Sequence, residues 1–171
     1  MSGARALTVL LPDRLLDLNR AVGVIRRRNL PINSIAVGPS GIPDVSRLTV
    51  ILQTDDATAD RLLKQLQKMV GVRRAVVFPV EDAVARELAL IKVKASTATY
   101  AELLDVAALF KAAVVDEGPE ELILQVAGPG ALILSLVRAL EKFGIIDIAR
   151  SGSVALERAA GATTLAQESI S

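Results

Sequence analysis

The chain has 171 residues, of which 51% are apolar and 23% charged, a composition typical of folded globular domains. It contains no cysteine and no histidine, which excludes disulfides, thiolate nucleophiles and the side chain most used for acid–base catalysis near neutral pH. With 20 basic and 19 acidic residues, the net charge does not favour nucleic acid or an anionic membrane as partner. No apolar run approaches the roughly 20 residues that span a bilayer, so we expect a soluble cytoplasmic protein.

The first half of the chain predicts the order β-α-β-β-α-β. Strands are expected where apolar or β-branched residues form short runs, at 7–11, 33–37, 46–52 and 72–80. Asp13 is a candidate N-cap for the first helix, which ends at Asn29, a residue that tolerates left-handed geometry. Asp55 introduces the second helix and Gly71 closes it.

The second half predicts the same order again. Strands are expected at 88–93, 113–116, 122–126 and 145–156, the last one bent at Gly152. Thr99 and Glu102 have the spacing of a capping box at the start of the third helix. Pro129 is predicted at the first position of the fourth helix, and Gly144 ends it.

The repeated order predicts an α+β protein of two tandem ferredoxin-like βαββαβ domains. We place the domains at residues 4–80 and 81–157, followed by a flexible tail at 158–171. Domains of roughly 75–80 residues are marginally stable alone. In this topology the second and fourth strands are sheet edges, which favour pairing with another chain. The sequence therefore predicts a dimer.

The same element order occurs in RNA-recognition domains, which stack bases on aromatic side chains of their central strands. The corresponding segments here, at 48–52 and 122–126, contain no aromatic residue. We therefore expect no nucleic-acid binding of this type.

Two segments are candidate phosphate sites. The arginines at 26–28 end the first predicted helix, where cations complement the helix dipole, so a solvated last turn explains them. Gly128-Pro129-Gly130 precedes a helix but lacks the spacing and the lysine of a P-loop. A turn followed by a helix start explains this segment, and we expect neither to bind phosphate.

Acidic and lysine side chains offer candidate metal ligands or catalytic groups. Asp55 and Asp56 have a structural explanation as the N-cap and the first-turn charge of a helix. Lys92 and Lys94 are explained as residues on the polar face of a strand. The other acidic candidates lie in a predicted hairpin loop: Glu117, Glu120 and Glu121. None has the spacing of a calcium loop or of paired catalytic carboxylates. We therefore predict no catalytic, cofactor-binding or metal-binding residue in this chain.

Taken together, the segments resemble one known family over roughly residues 5–157: the small, regulatory subunit of acetohydroxyacid synthase, also called acetolactate synthase. The stretches that carry the resemblance are Ile35-Ala-Val-Gly-Pro-Ser40, Ser46-Arg-Leu-Thr-Val50, Arg86-Glu-Leu-Ala-Leu-Ile-Lys-Val93, Leu109-Phe-Lys-Ala112 with Val115-Asp116, and Ala149-Arg-Ser-Gly-Ser-Val-Ala-Leu156. Their order and spacing across both predicted domains make the resemblance specific.

The resemblance implies an N-terminal ACT domain, an amino-acid-sensing form of this fold, followed by a family-specific C-terminal domain. It also implies a homodimer that binds a large catalytic subunit carrying thiamine diphosphate, magnesium and FAD. That enzyme performs the first common step of branched-chain amino-acid (valine, leucine, isoleucine) synthesis. The small subunit is expected to activate it and often confers feedback inhibition by valine.

One departure from the family pattern concerns the effector pocket at the dimer interface. Family members usually follow the first strand with an Asn-x-x-Gly turn and carry Asn-Ile after the first helix. By alignment the pocket positions here are Asp13, Leu16, Leu18, Pro31 and Ile32. Leu16 fills the space of the glycine, Asp13 places negative charge near a ligand carboxylate, and Pro31 has no side-chain amide. The resemblance therefore implies weak or absent valine feedback.

Two other classes of function stay open from the sequence. One is a stand-alone ACT-type sensor of another small molecule, and the other is a structural subunit that only holds a complex together. A neighbouring reading frame for a thiamine-diphosphate enzyme would favour the regulatory subunit over both.

Overall fold

The computed structural model describes residues 3–159 and divides the chain into two compact units. Of these residues, 3–85 and 153–159 form the first unit, and Arg86–Gly152 form the second. The predicted tail at 158–171 falls mostly on residues 160–171, which lie outside the described part. The backbone N–H of Arg158 donates to the carbonyl of Asp82 at 2.9 Å, so the tail's first residue is bonded.

The first unit is a four-stranded antiparallel sheet with two helices. Its strands are β1 (Gly3–Pro12), β2 (Ile32–Pro39), β3 (Val45–Thr54) and β4 (Arg74–Pro79), and its helices are α1 (Leu15–Arg26) and α2 (Asp56–Gln67). The strand order is β2-β3-β1-β4, with every neighbouring pair antiparallel. The second and fourth strands are the sheet edges, as the sequence predicted.

The second unit repeats this arrangement. Its elements are β5 (Ala83–Lys94), α3 (Tyr100–Leu109), β6 (Ala113–Glu117), β7 (Glu121–Gly128), α4 (Gly130–Leu140) and β8 (Ile145–Arg150). β9 (Val154–Glu157) follows and lies among the residues that group with the first unit. The strand order is β6-β7-β5-β8. The sequence predicted one strand over 145–156, bent at Gly152. The structure has two strands instead, and Gly152, with a positive φ of 76°, lies in the break between them.

Alternation along the strands builds each core. In the first unit, every second residue of β1 and β3 points at the helices and is buried there: Leu7, Val9, Leu11, Leu48, Val50 and Leu52. The helices contribute Ala21, Ile25, Leu62 and Leu66. In the second unit, the central strands and helices supply the same kind of core: Ile91, Val93, Leu122, Leu124, Leu103, Ile133, Leu136 and Leu140.

A smaller cluster lies on the other face of the first sheet. Ala6, Ile51 and Phe78 pack there with Ala83 and Ala155. Residues 83–85 and 153–157 therefore group with the first unit, although the sequence placed them in the second domain. The reason is that the chain returns after the second unit and covers apolar side chains that the helices leave open.

Two helix starts and one predicted capping box differ from the sequence-based expectation. The N-cap of α1 is Arg14 rather than Asp13. Thr99 is the N-cap of α3, but its hydroxyl accepts the N–H of Ser96 at 3.1 Å and caps no helix amide, so the capping box is absent. Pro129 is the N-cap of α4 rather than its first residue. The Asp13 carboxylate instead accepts the Ser46 hydroxyl of β3, and the Pro129 carbonyl accepts the N–H groups of Leu132 and Ile133.

The cap of α2 and the end of α1 confirm the sequence-based prediction. Asp55 accepts the backbone N–H of Thr58 at 2.8 Å and its hydroxyl at 2.9 Å. Asn29, after α1, has a left-handed φ of 49°. These residue types were predicted there for those reasons.

Replacing Asp55 with alanine is expected to lower the stability of the first unit at pH 7. The Thr58 backbone hydrogen bond, with the Thr58 hydroxyl next, holds the pKa of the Asp55 carboxyl below its ordinary value. A depressed pKa gives stability that is present above the unfolded-state pKa of about 3.9 and is lost as pH falls through the folded-state pKa. Urea unfolding at pH 7 and pH 3 should therefore show a difference from wild type that shrinks in acid. Asp60→Ala, an exposed change on the same helix, is the control; equal effects of the two changes would contradict the cap.

Candidate functional site

Asp13 occupies the junction between β1 and α1. Its backbone N–H donates to the carbonyl of Asp44 at 2.9 Å, and its carboxylate Oδ1 accepts the Ser46 hydroxyl at 2.8 Å. Asp44 itself has a left-handed φ of 58°. The Asp13 carboxylate is thus fixed beside the start of α1, where it adds negative charge at the place the helix amides would offer to an anion.

The first turn of α1 presents apolar side chains to solvent. Leu15 is 73% exposed and Leu16 is 61% exposed. The carbonyl of Arg14 accepts the N–H groups of Asp17 and Leu18, so the amides of Leu15 and Leu16 are the first two of the helix and have no acceptor within it. Leu18 is half-buried and packs against the core of the first unit.

Asp17, which the sequence analysis did not single out, is a second carboxylate in this turn. It is 8% exposed, and its Oδ1 lies 3.9 Å from Arg20 Nη1. A Cβ built on Gly71 would lie 3.4 Å from the same oxygen, and Gly71 has a φ of 93°. The signal in the sequence was an acidic residue in the first turn of a helix. Such a residue is ordinarily exposed to solvent and interacts favourably with the helix dipole. Only the fold shows that it is buried.

Pro31 and Ile32 lie at the opposite end of the same sheet. Pro12 of β1 pairs with Val45, whereas Ile32 of β2 pairs with Leu52, near the other end of β3. Because β3 is 10 residues long and a strand rises about 3.3 Å per residue, the two ends are more than about 20 Å apart. Within one chain the structure therefore groups Asp13, Leu16 and Leu18 but separates them from Pro31 and Ile32.

Several of the candidate groups that the sequence analysis explained structurally have partners of their own. Lys92 Nζ lies 2.5 Å from Glu121 Oε1, and Asp56 accepts Arg5 Nη2 at 2.5 Å. Glu117 accepts a hydrogen bond from Tyr100, which raises the pKa of the Tyr100 phenol. Two further ion pairs, between residues that the sequence analysis did not consider as sites, join Lys142 to Glu102 and Arg150 to Glu87.

The arginines at 26–28 lie at the end of α1, and Arg27 lines a shallow depression of about 370 Å³ with Asn19, Gly23 and Met69. Across residues 3–159, no three acidic side chains gather in a way that would hold a metal ion. In the same range, no helix has the length and apolar character needed to cross a membrane.

Comparison with known proteins gives the same family for both units. The family model described as the small subunit of acetolactate synthase matches residues 86–159. The family model described as the AHAS small subunit-like ACT domain matches residues 18–74. The acetolactate synthase small subunit of Mycobacterium bovis is 38% identical over 152 residues, which is 89% of this chain and 90% of that protein. The probable acetolactate synthase small subunit of Archaeoglobus fulgidus is 31% identical over 89% of this chain and 95% of its own length.

A solved structure agrees with these matches. The crystal structure of the acetolactate synthase small subunit from Thermotoga maritima superposes with a TM-score of 0.84 at 29% identity, covering 91% of this chain and 97% of that one. The predicted α+β fold of two tandem βαββαβ units is confirmed by this likeness and by the two sheets. Because the similarity extends over both units and nearly the full length of these relatives, the chain belongs to the family of acetolactate synthase small subunits.

Proposed function

We propose that this chain is the regulatory subunit that activates the catalytic large subunit of acetolactate synthase and performs no chemistry itself. The observation that carries the proposal is the continuous match over both units to small subunits from several organisms. The thiamine diphosphate, magnesium and FAD of the reaction would be held by the large subunit, whose product feeds branched-chain amino-acid synthesis. On this proposal residues 4–80 are the regulatory ACT domain, and residues 81–157 are the C-terminal domain of the family.

The edge strand β2 supports a homodimer. It contains no charged residue, and Ile35 and Val37 are 41% and 46% exposed. An uncharged apolar edge is a ready partner for a second strand. Pairing β2 with its copy about a two-fold axis makes the two strands antiparallel.

That pairing has a consequence for the effector site. An antiparallel partner brings the Ile32 end of one β2 beside the Pro39 end of the other. The Pro39 end is where β3 begins, at Val45 and Ser46, and where Asp13 lies. Asp13 and Leu16 of one chain would then meet Pro31 and Ile32 of the partner. The five positions thus form one site only when two chains contribute to it.

The chemistry of this site favours weak valine feedback. An amino-acid effector needs groups that compensate its carboxylate and its ammonium on desolvation. Asp13 is fixed by Ser46, and the buried carboxylate of Asp17 lies in the first turn of the same helix, so both repel a ligand carboxylate. Leu16 occupies space where the family has glycine, and the Pro31 carbonyl already accepts the N–H of Gln53 at 2.9 Å.

The test of activation uses purified chains. Acetolactate formation from pyruvate is measured for the cognate large subunit alone, for this chain alone, and for the mixture, with thiamine diphosphate, magnesium and FAD present. We expect no turnover by this chain alone and a several-fold higher kcat for the mixture than for the large subunit. Valine at millimolar concentration should change the mixture's rate little. An unchanged rate on mixing would leave the chain as a sensor or a structural subunit.

A further inference from the structure

The helix layer of the second unit, formed by α3 and α4, carries little charge. The 11 residues of α4 include one charged residue, Arg138, and the 10 residues of α3 include Glu102 and Asp105. By contrast, α2 of the first unit has four charged residues among 12. A helix that is apolar on several sides is ordinarily buried on more than one of them. The composition of α4 therefore indicates that something covers its outer side.

Two leucines lie on the outer side of this layer. Leu109 of α3 is 78% exposed and Leu134 of α4 is 49% exposed. Each has an exposed charged residue one helical turn away, which is Asp105 on α3 and Arg138 on α4. We call these four residues the outer helix face. The opposite sides of the two helices form the core of the unit, through Leu103, Ala107, Ile133, Leu136 and Leu140.

The two charges of the outer helix face have no partner in the described chain. Across residues 3–159, Asp105 and Arg138 form no ion pair with each other or with any other residue, and their side chains make no hydrogen bond. By contrast, Glu102 and Lys142, at the other end of the same helix pair, form an ion pair. The side chains of Asp105 and Arg138 are thus free to bind a partner outside the chain.

The ion pair between Glu102 and Lys142 shows how the two helices are aligned. α3 and α4 follow the antiparallel strands β5 and β7, so the helices are antiparallel as well. At about 1.5 Å of rise per residue, Asp105 and Arg138 lie about 4.5 Å and about 6 Å from this pair along the helices. The two leucines lie about 10.5 Å and about 12 Å from it. The two charges are therefore level with each other, and so are the two leucines.

This arrangement makes the outer helix face complementary to itself. A second copy can face it across a two-fold axis that runs parallel to the helices and midway between them. α3 of each chain then lies over α4 of the other at the same level. Asp105 of each chain faces Arg138 of the other, and Leu109 faces Leu134. Each charge gains a partner of opposite sign and the leucines leave water, which is the reciprocal matching that a two-fold interface needs.

We propose that the outer helix face is a contact between two copies of this chain, through which the proposed β2 dimers join into a larger assembly. Helices of 10 and 11 residues are only about 15–17 Å long, so one such contact is small and does not hold two separate chains together. Each β2 dimer carries two of these faces, and contacts that form together reinforce each other. This self-association does not depend on activation of the large subunit.

The experiment is sedimentation velocity over a wide range of chain concentrations, without the large subunit. Wild type should form assemblies larger than the dimer as concentration rises. Asp105→Arg and Arg138→Asp, each alone, should raise the dissociation constant of that step at least tenfold, because like charges then face each other. An equimolar mixture of the two variants should restore it, since every facing pair between the two variants is again of opposite sign. Asp60→Arg, the same reversal at an exposed position of α2, is the control and should change nothing.

The mixture separates a contact between chains from an effect within one chain. If the two charges act only within a chain, the double change Asp105→Arg with Arg138→Asp restores assembly and the mixture does not, which overturns the inference. A wild type that stays dimeric at every concentration overturns it too, and leaves the proposed function untouched. If circular dichroism shows that either reversal unfolds the chain, Leu109→Gln at its exposed position decides instead. It should weaken the same step, and unchanged assembly would contradict the contact.

Discussion

A proline in the middle of β2 is expected to convert the small-subunit dimer into monomers. Backbone N–H groups of successive residues point to opposite edges of a strand. One of the two N–H groups of Ile35 and Ala36 therefore donates toward β3, and the other points toward the free edge. Proline removes the donor. The variant that lacks the outward N–H should stay folded and sediment as a monomer, and the other should lose stability because a β2–β3 bond is missing.

The matched control is Ile35→Thr, which keeps the N–H and the β-branched shape. Sedimentation velocity and far-ultraviolet circular dichroism on all three variants separate loss of dimer from loss of fold. Two folded, dimeric proline variants would show that the chains associate through another surface. Partial dimer at high concentration of the monomeric variant would still fit, since side-chain contacts across the edge remain.

The double change Leu16→Gly with Pro31→Asn is expected to create or sharpen valine binding. Glycine opens the space over the first turn of α1, where two helix amides lack acceptors, and asparagine supplies a side-chain donor and acceptor. Restoring partners that each contribute more than about 1–3 kcal/mol corresponds to a tenfold to hundredfold or larger gain in affinity. Calorimetric titration of valine into the dimer measures it directly.

The geometry of the sheet allows a sharper form of this test. In the proposed dimer, position 16 of one chain meets position 31 of its partner. Chains that carry only Leu16→Gly can therefore be mixed with chains that carry only Pro31→Asn. In the resulting heterodimers, one of the two sites has both changes. Valine should bind the mixture, after subunit exchange, more tightly than either single variant. Equal affinities for the mixture and the singles, with tight binding by the double variant, would mean that both positions act within one chain. No gain for any variant would show that Asp13 and Asp17 suffice to exclude the ligand.

Much of the fold could be predicted because local signals agree with the tertiary structure. The short apolar runs of β1 and β3, the Asp55 cap and the left-handed Asn29 each have one physical interpretation, and the structure confirms them. The two side-chain caps that were predicted and are absent share a cause. Asp13 and Thr99 have the chemistry of caps, but Ser46, distant in sequence, and Ser96, in the preceding turn, take up their hydrogen bonds.

The candidate site was harder to predict than the fold. Alignment gives the five pocket positions but not that they lie at two ends of one sheet, since this follows from strand register. The burial of Asp17 is also a consequence of packing. A lone acidic residue in a sequence is most often solvated, and nothing local distinguishes this one from the exposed ones.

The return of the chain end to the first unit also sets the timing of its folding during synthesis. Ala155 belongs to the same cluster as Ala6, Ile51 and Phe78, yet the whole of the second unit is translated before it emerges. At 5–20 residues per second, the roughly 70 residues between Ala85 and Ala155 take about 4–14 seconds to synthesise. For that interval the nascent first unit lacks the cover that Ala155 supplies to this apolar cluster, which leaves part of the cluster open to aggregation.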